Sequence, residues 1–216
     1  MIAASVWSLL IPAIEEAEAS GMIGWIPAAT GFALGVLFLF GLDKLIPHFH
    51  GASGTQEGLS TSMKKTTLLV SAVTLHNIPE GITVGLSFAL AAQHGDNPAM
   101  YAAAMALTLG IGIQNFPEGA VVSLLLHQEG NKPKKAFLLG CATGAVQPLF
   151  GIITVLLAGA IAPTMPWMLS CAAGAMMYVV VEELIPQVHL GEHSNAGTLG
   201  VMAGFLIMMI LVVAFG

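Results

Sequence analysis

The sequence predicts an all-α polytopic membrane protein, and three observations carry that reading. Of its 216 residues, 56% are hydrophobic and only 8% are charged, whereas soluble domains carry roughly 25% charged residues. The apolar residues fall into seven stretches, each near the length of about 20 residues that a spanning helix needs. Those stretches are joined mostly by short polar connections, which leaves room for one domain, residues 1–216. Six Lys and no Arg stand against twelve acidic residues, a net charge of −6. With no basic face to bind phosphates, nucleic acid is excluded as a partner.

In chain order, the first stretch, about 1–19, has no basic leader and continues through Ile11-Pro12-Ala13-Ile14-Glu15-Glu16, so it is not a signal peptide. The second covers about 23–47. A Gly/Ser/Thr-rich segment with His48, His50, Gln56 and Glu57 follows over about 48–65 and reads as a flexible loop. The third and fourth, about 66–92 and 98–127, each carry a Pro-Glu pair near mid-length. The fifth, sixth and seventh cover about 136–161, 165–186 and 196–216. Cys141 and Cys171 lie inside apolar runs and read as small packing residues.

Charge placement gives an orientation. Lys44, Lys64 and Lys65 flank the second connection and Lys132, Lys134 and Lys135 the fourth, on the same side, while Glu15, Glu16, Glu18 and Asp96 lie opposite. The excess of lysine marks the cytoplasmic side. Seven crossings then leave the N-terminus inside and the C-terminus outside, in a bacterial plasma (inner) membrane.

An internal repeat points to function. His76-Asn77-Ile78-Pro79-Glu80-Gly81 recurs as Gln114-Asn115-Phe116-Pro117-Glu118-Gly119 at an offset of 38 residues. A looser pair, Asp43-Lys44-Leu45-Ile46-Pro47 and Glu182-Glu183-Leu184-Ile185-Pro186, lies at offset 139. Internal repeats with interrupted helices are a feature of transporters. A carboxylate at mid-bilayer costs from about 3 to over 10 kcal/mol, so Glu80 and Glu118 must be protonated, paired or bound to a cation. Neither helix offers a Lys or Arg at that depth. His76 and Glu80 are four residues apart on one helical face, and Gln114 and Glu118 repeat that spacing. Facing helices would converge one imidazole, two carboxylates and several amide oxygens. Pro79 and Pro117 each remove a helical N–H and free the carbonyls of Leu75 and Ile113. A donor set with one nitrogen, several oxygens and no thiolate suits Zn²⁺, Fe²⁺, Mn²⁺, Co²⁺ or Cd²⁺ at moderate affinity. A proton relay without metal is the alternative these residues leave open.

These paired motifs resemble those of the ZIP (Zrt-/Irt-like) divalent metal transporters, and specifically the GufA-like branch. Met1-Ile2-Ala3-Ala4-Ser5-Val6-Trp7-Ser8 resembles the family's second helix, Gly144-Ala145-Val146-Gln147-Pro148-Leu149 its sixth, and Glu182-Glu183-Leu184-Ile185-Pro186 its seventh. The resemblance implies an eight-helix bundle in a 3+2+3 inverted-repeat arrangement, metal transport into the cytoplasm by an elevator-like movement, and a homodimer. It implies Zn²⁺ as transported substrate, with no cofactor. It also implies a primary metal site on His76, Glu80, Gln114 and Glu118, with Ser8 contributing. The family's neighbouring second site falls on Asn77, Glu80, Asn115, Glu118 and Gln147. Here positions 115 and 147 carry amides, and two cations about 4 Å apart repel strongly at low dielectric. One well-occupied metal is therefore expected. The family's first helix has no counterpart in these residues, so the expectation is either an upstream stretch of about 25 apolar residues or a chain that binds metal but transports poorly.

Weaker signals remain. Glu182, Glu183, His189 and His193 are candidates for an exit path, and the glutamates at 15, 16 and 18 for gathering cations at the outer face. A non-transporting membrane metal sensor is the rival class. An intramembrane metal hydrolase is disfavoured because no His-Glu-x-x-His motif occurs.

Overall fold

The computed structural model describes residues 1–45, 48–49, 56–57, 65–95, 97–185 and 195–215. Among them, seven helical rods follow one another. α1 opens as a π-helical turn, Ala4–Leu10, and continues as Ile11–Ala19. α2 is Trp25–Leu45, α3 is Lys65–Gln93 and α4 is Pro98–Gln128. α5 is interrupted at Ala145 into Pro133–Gly144 and Val146–Leu156. A connector over Ala158–Ile161 and Ala162–Thr164 leads into α6, Met165–Val179, which ends in a second π-helical turn, Val180–Leu184. α7 is Ala196–Phe215. Between α2 and α3, His48–Phe49 pairs antiparallel with Gln56–Glu57.

Local chemistry sets the ends of these helices. Asn97 caps α4 by accepting from the Ala99 N–H at 3.0 Å, and Pro98 occupies the first turn, where its missing N–H costs nothing. Gly130, at φ 92°, lets the chain turn back after α4, a left-handed conformation that a side chain would strain. Among the described residues, four helices are long and apolar enough to cross a membrane by themselves: Trp25–Leu45, Pro98–Gln128, Pro133–Leu156 and Ala158–Glu182. α3 is long enough too, but its first sixteen residues carry Thr, Ser, His, Asn and Glu.

Small residues hold the rods together. Gly31 and Gly35 of α2 lie against α6, where a Cβ on Gly35 would collide with the Cys171 carbonyl. The same spacing recurs at Gly81 and Gly85 of α3, which lie against Gln147 and Gly151 of α5. Lipid supplies no hydrophobic drive between helices, so close backbone approach at small-x-x-x-small pairs is what brings them together. The main core joins α1, α3, α4 and α6 through Leu9, Leu86, Leu107, Leu169 and Met176. Large apolar side chains point outward instead on α2 (Leu37, Phe38), α4 (Leu109, Phe116), α5 (Phe137, Ile152) and α7 (Leu199, Ile207). That surface suits acyl chains. Cys141 and Cys171 are free thiols.

Candidate metal centre

α3 stays helical through Pro79, and the residues around that proline are buried: Asn77 is 3% exposed and Glu80 1%. The Glu80 carboxylate accepts from Gln114 Nε2 of α4 at 2.8 Å and from Gln147 Nε2 of α5. Gln147 Nε2 also donates to Asn77 Oδ1 at 3.0 Å, and Asn77 Nδ2 donates to the Thr143 carbonyl at 2.8 Å. Asn115 Nδ2 closes the network by donating to Gln147 Oε1 at 2.6 Å.

The direction of this network follows from its anchor. Glu80 accepts at both of its oxygens, so both glutamines turn their NH₂ groups toward it. Gln147 therefore shows its oxygen to Asn115, which must answer with its own NH₂. Asn115 Oδ1 is left facing away, buried and with no hydrogen-bond partner among the described residues. A buried acceptor without a donor costs about 1–3 kcal/mol, and a bound cation is one way to satisfy it.

Glu118 has different surroundings. It is half-buried and lines two cavities. The one of about 340 Å³ is shared with Met1, Gln114 and Phe205, and the other, of about 650 Å³, with Asn77, Asn115 and Gln147. The backbone amine of Met1 lies 3.3 Å from Gln114 Oε1. His76 sits one turn before Glu80 and is half-buried. Gln147 lies just past the interruption of α5 at Ala145.

The structure thus joins Asn77, Glu80, Gln114, Asn115 and Gln147 by direct hydrogen bonds, with Glu118 beside them. Ser8 lines a third cavity, of about 580 Å³, with Glu15, Glu16 and His94. Glu182 is exposed at the end of α6. The side chain of Glu183, and His189 and His193 entirely, lie outside what the structure describes. Thr143 escaped sequence reasoning because it takes part through its carbonyl, which every residue has. Among the described residues, no three His, Cys, Asp or Glu side chains form a ready-made metal cage. The centre is built mainly from amides around two carboxylates, an oxygen-rich set suited to borderline and hard divalent ions.

The model of the family described as ZIP Zinc transporter matches residues 53–212. The zinc transporter GufA of Myxococcus xanthus is 39% identical, over 97% of this chain and 81% of its own length. The zinc transporter ZIPB of Bordetella bronchiseptica is 38% identical, over the whole of this chain and 68% of its own length. The human zinc transporter ZIP11 is 31% identical, over the whole of this chain and 85% of its own length. With a family match across most of its length and relatives this similar, the chain belongs to the ZIP zinc transporter family.

Proposed function

We propose that this chain carries divalent metal ions, Zn²⁺ first among them, across a membrane toward the cytoplasm, and that the ion binds between α3 and α4. The observation that carries this reading is the pair of repeated glutamates. Glu80 is held by the amides of Gln114 and Gln147, Glu118 opens onto two cavities, and neither helix carries a Lys or Arg at that depth to balance the two charges. A cation is the natural counter-charge in such a low-dielectric place. His76, Glu80, Gln114 and Glu118 form the primary binding set in this reading, and Ser8 of α1 completes it. Asn77, Asn115 and Gln147 make a neutral second position, too poor in charge to hold a second dication for long. Fe²⁺, Mn²⁺ and Cd²⁺ are further candidate substrates.

The lysine-bearing helix ends face the cytoplasm of a bacterial inner membrane, residues 1–216 act as one transport domain, and two copies assemble as a dimer. Glu182, Glu183, His189 and His193 belong to the exit on that side.

Uptake of Zn²⁺ into proteoliposomes containing the purified chain tests the proposal. Saturable uptake that is lost in both Glu80→Ala and Glu118→Ala is the expected result. Metal binding without uptake by the wild-type chain would favour a sensor instead, and unchanged uptake by a folded Glu80→Ala protein would overturn the site.

A further inference from the structure

A second cluster of metal-ligating groups lies away from the central network, where α1 meets the end of α3. His94 Nε2 stands 3.2 Å from Glu16 Oε2, with the two side chains 42% and 19% exposed respectively. The other ring nitrogen, Nδ1, is 3.1 Å from the Leu90 carbonyl. A carbonyl can only accept, so Nδ1 carries the hydrogen and Nε2 is the atom left for Glu16. A backbone carbonyl that holds Nδ1–H fixes the ring and leaves Nε2 as the nitrogen available to a metal, a pattern common at metal-bound histidines. Ligand atoms on a tetrahedral zinc with bonds of about 2.0–2.2 Å stand roughly 3.3–3.6 Å apart, slightly more than the separation seen here.

The pair borders the cavity of about 580 Å³ that Ser8 and Glu15 also line. Ser8 Oγ is buried and has no hydrogen-bond partner among the described residues. Ser8, Pro12, Glu15 and Ala19 follow helical spacing along one face of α1, and Met1, two turns before Ser8, reaches Gln114 of the central network. One helix therefore runs from Glu16 to the carboxylate pair, about 22 Å at 1.5 Å per residue.

We propose that His94 and Glu16 form a capture site for a divalent cation at the mouth of this cavity, loading the ion onto α1 before it reaches Glu118. Two protein ligands with water completing the shell give weak, fast-exchanging binding, which suits a station that must pass its ion on. The role as a loading station rests on the transport reading; the binding itself does not.

The test uses the full chain in detergent with Glu80→Gln and Glu118→Gln, which removes the central carboxylates, and follows Zn²⁺ and Cd²⁺ binding by titration. A residual weak site should persist in that background and weaken about tenfold or more on adding His94→Gln or Glu16→Gln, as loss of a ligand does. His94→Cys should restore Cd²⁺ binding, which a purely structural His–Glu contact would not do. In the otherwise wild-type chain, His94→Gln should raise the KM for Zn²⁺ uptake about fivefold. Residual binding that ignores both substitutions, or His94→Cys behaving like His94→Gln, would overturn the capture site. Failure of the wild-type chain to transport would instead remove the transport reading and leave the titration to decide the site.

Discussion

The two copies of Asn-x-Pro-Glu-Gly share four residues out of five, yet the fold treats them differently. On α3, Asn77 and Glu80 are buried and every polar atom named above has a partner. On α4, Phe116 is 80% exposed, Asn115 keeps an unpartnered oxygen and Glu118 opens onto two cavities. The difference comes from the neighbours. α3 packs on α4, α5 and α6, whereas α4 packs on α3, α5 and α7 and turns Leu109, Ile113 and Phe116 outward. A repeated motif therefore divides its labour: the α3 carboxylate is held in place, and the α4 carboxylate is left to meet the ion.

The largest effect that would break this comparison lies in transport itself. Glu80→Ala and Glu118→Ala should each abolish saturable Zn²⁺ uptake in proteoliposomes, since either removes a charge that no neighbour replaces. Their effect on the fold should differ. Glu80→Gln sets an NH₂ group against donors from Gln114 and Gln147, and should cost about 1–3 kcal/mol, visible as a lower Tm in detergent. Glu118→Gln should leave Tm nearly unchanged. Equal losses of Tm would erase the distinction between anchored and open carboxylate.

The glycines sharpen the same contrast at smaller scale. A Cβ at Gly81 would collide with the Gln147 backbone carbonyl, whereas one at Gly119 would meet the Gly140 carbonyl at an ordinary 3.6 Å. Gly81→Ala should therefore cost about 1–3 kcal/mol through backbone displacement, and Gly119→Ala should stay within about 0.5 kcal/mol. Thermal unfolding of the two variants side by side is the check.

The smallest expected effect concerns occupancy at the second position. Asn115→Asp combined with Gln147→Glu adds two carboxylates, which repel Glu80 without metal and welcome a second cation with it. Added Zn²⁺ should raise the Tm of this double variant more than that of wild type. An equal rise would show that amides serve as well as carboxylates there.

Much of the architecture is legible in the sequence. The seven helices and the all-α class follow from runs of apolar residues, because a membrane demands both length and internal backbone pairing. The duplicated motif puts Glu80 and Gln114 on neighbouring helices but does not show the donation from Gln114 Nε2 to Glu80 that joins them. What the sequence could not show lies in details that leave no residue signature. The π-helical turns at Ala4–Leu10 and Val180–Leu184 use ordinary apolar and acidic residues. The carbonyl of Thr143 is the same as any other. The unequal burial of Glu80 and Glu118 depends on which helices lie behind each, and identical motifs say nothing about that. His94 belongs to no motif, and its partner Glu16 is 78 positions away in the chain.

The central claim is that one divalent ion binds where the two glutamates meet, with Glu80 positioned and Glu118 open. Anomalous scattering from Cd²⁺-soaked crystals of the wild-type chain tests it most directly. The account predicts one strong peak in the central network, within bonding distance of both Glu80 and Glu118, and lost in Glu118→Gln. Two equally strong peaks in the network, or a single peak that survives the loss of Glu118, would contradict it.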